Sequence, residues 1–162
     1  MLRVYLDNVA ASGRILGDLV PDAEMKALRR IEGAHVAGHL KMVTSRQSWR
    51  EQERTRDPVK RATLESARGE VSVVATDHTV LGFSSGSTTT PFVTDIVDAQ
   101  LFDDFKSIGL DDEDAKRLMY AVTNGCDVFV TLDPHFLDRR VALEVRCPSL
   151  RILKLSKFAA EL

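Results

Sequence analysis

The chain of 162 residues carries only two cysteines, Cys126 and Cys147. Two thiols build neither a disulfide framework nor a four-ligand metal cluster, so they read as small packed side chains in a reducing compartment. No apolar run approaches the ~18 residues that a membrane span needs. The N-terminal string Met1-Leu2-Arg3-Val4-Tyr5-Leu6-Asp7 is too short and too quickly charged for a secretory signal. The expectation is therefore a soluble, cytoplasmic protein with no membrane association. Charge of one sign is lacking too: 22 Lys+Arg face 24 Asp+Glu, a formal net charge of -2. That balance argues against a general basic coat for nucleic acid, though a local basic stripe remains compatible with it. No internal repeat is present.

What is there is ordinary globular composition, 44% hydrophobic and 28% charged, which excludes collagen-like and disordered classes. A chain of this length buries roughly 68–70% of its unfolded surface and needs no covalent staple. It fits one domain spanning 1–162, with an insertion or flexible loop around 76–92.

Short apolar, β-prone runs alternate with longer helical patterns. Val4-Tyr5-Leu6 reads as a buried strand stopped by Asp7-Asn8. A helix with Ile15, Leu16 and Leu19 on one face should follow. Pro21, Asp22 and Glu24 open the next helix, since proline suits the first turn and acids the positive end of the dipole. Leu40–Thr44 predicts a second strand, with Ser45 as N-cap of a helix from Arg46. Asp57-Pro58 either breaks that helix or caps a continuation to about Arg68. Val71–Ala75 reads as a third strand, and the Ser/Thr-rich segment from Gly82 to Thr90 as a loop. Asp95–Ile108 predicts a helix ended by Gly109, and Asp111 or Asp112 caps the next, which Asn124-Gly125 ends. Val128–Thr131 and Ile152–Leu155 are the last two strands. This alternation predicts an α/β fold: a short, mostly parallel central sheet of about five strands with helices on both faces.

Such sheets bind ligands beyond the carboxyl ends of their strands. There stand Asp7 after strand one, and Thr131 and Asp133 after strand four. Glu51 lies on the helix that follows strand two, with Glu53 as its rival about 200° around the wheel at ~100° per residue. Asp114 lies in the first turn of its helix, about 40° from Leu118 and about 20° from Ala121, on the packed side where an acid needs a reason. Each has a bland explanation as cap or solvated charge. Together, carboxylates converging on one mouth call for a cation, and hard oxygen donors suit Mg²⁺ or Mn²⁺.

Tyr5-Leu6-Asp7, Ser45 followed by Glu51, Asp114-Ala115 followed by Ala121, and the string from Asn124 to Asp133 resemble successive motifs of the PIN-domain family. The likeness covers roughly 1–53 and 95–155. The stretch from Arg54 to Pro91 carries no motif that fits, a departure from the family's size. The resemblance implies a PIN-like three-layer sandwich and a metal-dependent endoribonuclease acting on single-stranded RNA, in many members the toxin of a toxin–antitoxin pair. It implies that Asp7, Glu51, Asp114 and Asp133 hold Mg²⁺ or Mn²⁺, that Thr131 orients metal or water, and that Asn8 adds an amide nearby. It further implies an antitoxin protein as partner and a homodimer.

Arg46, Arg50 and Arg54 recur at i, i+4, i+8, a basic stripe that reads as a phosphate track or as a solvated helix face. His35 and His39 sit four apart, but Gly38 intervenes and no third ligand follows in a recognised pattern. His135 lies close enough to Asp133 to line the mouth. Two other classes compete. A non-catalytic PIN-like module would bind RNA or protein. A phosphoacceptor domain would use Lys154 and Asp77, but it needs a pair of acids after strand one, and only Asp7 stands there. Setting the four acids aside leaves 20 of the 24 against 22 bases, a slightly basic body around an acidic pocket.

Overall fold

The structure is a computed structural model that describes residues 1–17, 22–45, 52–66, 72–74, 78–83, 89–94 and 96–162. In chain order the elements are β1 (Leu2–Leu6), α1 (Asn8–Leu16), α2 (Asp22–Val36), β2 (Leu40–Ser45), α3 (Pro58–Ser66), β3 (Ser72–Val74), β4 (His78–Phe83), β5 (Thr89–Thr94), α4 (Ala99–Ser107), α5 (Asp112–Thr123), β6 (Val128–Thr131), α6 (Pro134–Leu137), α7 (Arg140–Arg146), β7 (Arg151–Lys154) and α8 (Leu155–Ala159).

Five strands form one sheet in the order β3-β2-β1-β6-β7, and every neighbouring pair is parallel. The order reverses at β1: the chain runs outward through β2 and β3, then returns to lay β6 on β1's other side. Tyr5 pairs with Val43 on one side and Phe129 on the other. The carboxyl ends of β1 and β6 thus lie at a topological switch point.

Alternation along the strands divides the core in two. Val4, Leu6, Val128, Val130 and Leu153 pack with Ala10, Leu28, Ile31 and Phe158 from α1, α2 and α8. Tyr5, Val43, Phe129 and Ile152 pack on the other face with Phe105, Leu118, Phe136 and Leu143 from α4, α5, α6 and α7. The result is an α/β three-layer sandwich. Tyr5 stacks on Phe129 at 5.1 Å between ring centroids, and Phe136 meets Phe129 at 4.8 Å. This aromatic file lies directly beneath the strand ends that carry the acids.

Aspartates set several helix starts by accepting orphan backbone N–H groups. Asp57 Oδ1 accepts from Val59 and Lys60 N–H, so it caps a new helix, α3. Asp98 caps α4 through Leu101 N–H, which moves the start of that helix from the expected Asp95 to Ala99. Asp111 caps α5. Gly109, at φ 100, turns the chain between α4 and α5.

Two further sequence expectations shift. Gly82-Phe83 and Thr89-Thr90, expected as loop, pair with each other at the end of the antiparallel β4–β5 ladder. Threonine is β-branched and suits a strand as readily as a polar loop. The last strand ends at Lys154, and Leu155 opens α8. Leu19, Pro21, residues 46–51 of the helix expected from Arg46, and the loop residues 84–88 lie outside the described residues.

Candidate functional site

Asp7 is the first residue beyond β1 and the N-cap of α1. Its backbone N–H donates to Val130 O at 3.1 Å, which ties it to β6. The side chain is fully buried, and both oxygens are engaged. Oδ2 accepts from the Thr131 hydroxyl at 2.7 Å. Oδ1 accepts from Asn8 N–H at 2.7 Å and from Arg117 Nη1 at 2.6 Å.

Asp114 comes from the opposite side, in the first turn of α5, where Asp111 Oδ1 accepts its N–H at 2.8 Å. It too is buried. Its Oδ1 accepts from Arg117 Nη2, and its Oδ2 lies 3.3 Å from His135 Nδ1. The Arg117 guanidinium therefore forks across two carboxylates from different elements, one proton donor to each, as its planar geometry allows. Its charge centre also stands 5.8 Å from the Phe136 ring centroid. Arg117 is itself buried at 7% exposure, so the trio is a desolvated ion network rather than a surface pair.

Asp133 follows β6 and caps α6, accepting His135 N–H at 2.8 Å. Its own N–H donates to Thr131 Oγ1 at 2.9 Å. One threonine hydroxyl thus donates to the Asp7 carboxylate and accepts from Asp133, which holds the two strand ends in register. His135 approaches two of the acids: its Nδ1 is 3.3 Å from Asp114 and 4.0 Å from Asp133 Oδ1. Burial pushes the Asp114 carboxyl upward; Arg117 opposes this, and the negative neighbours Asp111 and Asp133 add to it.

A divalent cation would meet two different surfaces here. Asp111, Asp114 and His135 each present one donor atom, all within 4.8 Å of one another. Carboxylate oxygens with one imidazole suit Mn²⁺, and the oxygens alone suit Mg²⁺. This outer set fits a cation. Asp7 belongs to an inner set whose cation is already Arg117.

Of the residues expected at the site, Asp7, Asp114, Thr131 and Asp133 come together. Glu51, Arg46 and Arg50 lie outside the described residues. Arg54 is an exposed turn residue after the helical pair Gln52-Glu53, and Glu53 is exposed as well. Asn8 uses its side-chain oxygen within α1, accepting from the Ser12 hydroxyl at 3.2 Å. Sequence reasoning missed Arg117. Its only local signal was a position three residues after Asp114, one helical turn along the same face. Asp111 was expected as a cap and supplies a donor atom too.

Other residues weighed from sequence find other partners. His35 Nδ1 faces Leu40 O at 3.2 Å. Lys154 Nζ pairs with Glu24 Oε1 at 3.0 Å, and Asp77 is outside the described residues. Burial pushes both cysteine thiols up to about 11, which keeps Cys126 and Cys147 protonated and inert near neutral pH. No helix among the described residues is long and apolar enough to cross a membrane.

No family model matches this chain, and no curated protein matches it.

Proposed function

We propose that this chain is a metal-dependent endoribonuclease of PIN type that cleaves phosphodiesters of single-stranded RNA. The observation that carries the reading is the convergence, at one switch point, of Asp114, Asp133 and His135 over a buried Asp7. Asp7, Glu51, Asp114 and Asp133 are the acidic set. Asp111 and His135 extend it outward. Bound Mg²⁺ or Mn²⁺ would acidify water and offset the charge that builds on the phosphate oxygens. The protein's part is to hold that ion and aim the substrate. Thr131 locks Asp7 to the Asp133 backbone. Arg54, with Arg46 and Arg50, offers positive charge to the RNA backbone. A cytoplasmic toxin paired with an antitoxin protein, acting as a homodimer, is the biological setting we propose.

A second reading also has an observation behind it. The fork of Arg117 satisfies Asp7 without a metal, as in a non-catalytic PIN-like module that binds RNA or protein. The experiment that separates the two is incubation of the full chain with end-labelled unstructured RNA in Mn²⁺, in Mg²⁺ and in EDTA. Metal-dependent fragments support the nuclease. Retention of RNA without fragments in either metal favours the binding module and overturns the nuclease.

A further inference from the structure

We infer that Arg117 is a built-in plug of the inner acid pair, and that a divalent cation reaches Asp7 only by displacing its guanidinium. The inference rests on the divalent-cation reading above.

The geometry carries it. Nη1 and Nη2 of one guanidinium point at oxygens of two carboxylates that no local contact brings together: Asp7 at the end of β1 and Asp114 at the start of α5. An ion bridging those two residues would sit between their oxygens, which is where the fork lies. With Nη1 2.6 Å from Asp7 Oδ1, an ion at the ~2.0–2.1 Å that Mg²⁺ demands would share the same oxygens and stand in like-charge contact with the guanidinium. All three side chains are buried, so water does little to screen that repulsion. The ion and the guanidinium are therefore alternatives.

The plug is incomplete in charge. One guanidinium faces two carboxylates, and Asp133 and Asp111 stand close by, so negative charge remains at the mouth for a second cation to meet. The outer donors Asp111, Asp114 Oδ2 and His135 Nδ1 provide that first landing. From there, entry to Asp7 requires Arg117 to swing out. Its stem starts one turn along α5 from Asp114, and its Nε lies 3.4 Å from Glu113 O. A surface ion pair could break freely at little cost. This one is buried, so its opening is a discrete step that ties access to the inner acids to one side chain.

The test is Mn²⁺ binding by calorimetry to the full-length wild type, Arg117→Gln and Arg117→Lys. The glutamine variant is expected to bind at least tenfold more tightly than wild type, and adding Asp7→Asn to it should cancel the gain. Lysine cannot fork across both acids, so Arg117→Lys should bind severalfold more tightly than wild type, and it carries the test if the glutamine variant does not fold. A structure of the wild type with Mn²⁺ gives an independent readout: the Asp7–Arg117 contact should be broken wherever the ion touches Asp7. Equal or weaker affinity in both variants, or an ion on Asp7 with that contact intact, overturns the plug while the cation reading stands. If wild type and both variants all fail to bind Mn²⁺, the cation reading falls and the plug falls with it.

Discussion

Arg117 Nη1 lies 2.6 Å from Asp7 Oδ1, although 110 residues separate the two in the chain. This contact divides the acids into two kinds. Asp7 is desolvated and balanced by a guanidinium, so its charge is part of what holds β1, α5 and β6 together. Asp133 keeps 24% of its side chain exposed and caps a short helix, so its charge is free for other work.

That division predicts unequal costs for two matched substitutions. Asp7→Asn leaves the buried Arg117 guanidinium with Asp114 as its one ionised partner of the fork and should lower unfolding stability by about 3 kcal/mol. Asparagine caps helices as well as aspartate, so Asp133→Asn should stay within about 0.5 kcal/mol of wild type. Urea unfolding of the two variants checks this. Equal losses would show that the Asp7–Arg117 pair carries no special weight.

Gly109 offers a second check, on the turn between α4 and α5. It sits at φ 100, and a Cβ there would stand 3.2 Å from Arg139 Nε. Gly125, at φ 64, has nothing within 4 Å of the same added atom. Gly109→Ala should cost about 1–2 kcal/mol from backbone strain alone, with the displacement of Arg139 in addition. Gly125→Ala should cost less. Thermal unfolding of both variants measures the order, and equal costs would mean that Arg139 yields freely.

The acid stability of the fold should depend on Glu24. Burial alone would raise its carboxyl, but hydrogen bonds from Lys154 and Ser156 outweigh burial and hold it below its ordinary value of 4.5. Glu24 accepts from Ser156 N–H at 3.0 Å and pairs with Lys154, tying α2 to β7 and α8. A depressed carboxyl contributes stability above the unfolded value and loses it as pH falls through the folded one. Glu24→Gln should therefore cost about 1–3 kcal/mol at pH 7. The gap to wild type should shrink below about pH 4.5. Melting curves from pH 7 to pH 3 test the sign, and a constant gap would refute it.

The sheet was legible in the sequence because its strands are short, apolar and ended by acids. Val4-Tyr5-Leu6 before Asp7 and Val128–Thr131 before Asp133 announce buried parallel strands with polar ends at one edge. The β4–β5 hairpin was not legible: Gly82, Thr90 and Pro91 stand in its paired strands, where glycine and proline read as loop residues and no alternating pattern marks the register. The convergence of Asp7, Asp114, Thr131 and Asp133 could be read from strand ends and helical spacing. Arg117 could not, because on a wheel it looks like one more charge beside an apolar stripe. Only the packing of α5 across the end of β1 turns it inward.

The proposed nuclease needs Asp133, whose Oδ1 lies 4.0 Å from His135 Nδ1, to act with the outer donors Asp111, Asp114 and His135 in holding a divalent cation. The most direct measurement is the rate of Mn²⁺-supported cleavage of a labelled single-stranded RNA by wild type and by Asp133→Asn, each shown to be folded. The expected result is cleavage by wild type that EDTA abolishes, with a loss of about 100-fold or more in the variant. Undiminished cleavage by Asp133→Asn, or no cleavage by the wild type in either Mn²⁺ or Mg²⁺, would contradict it.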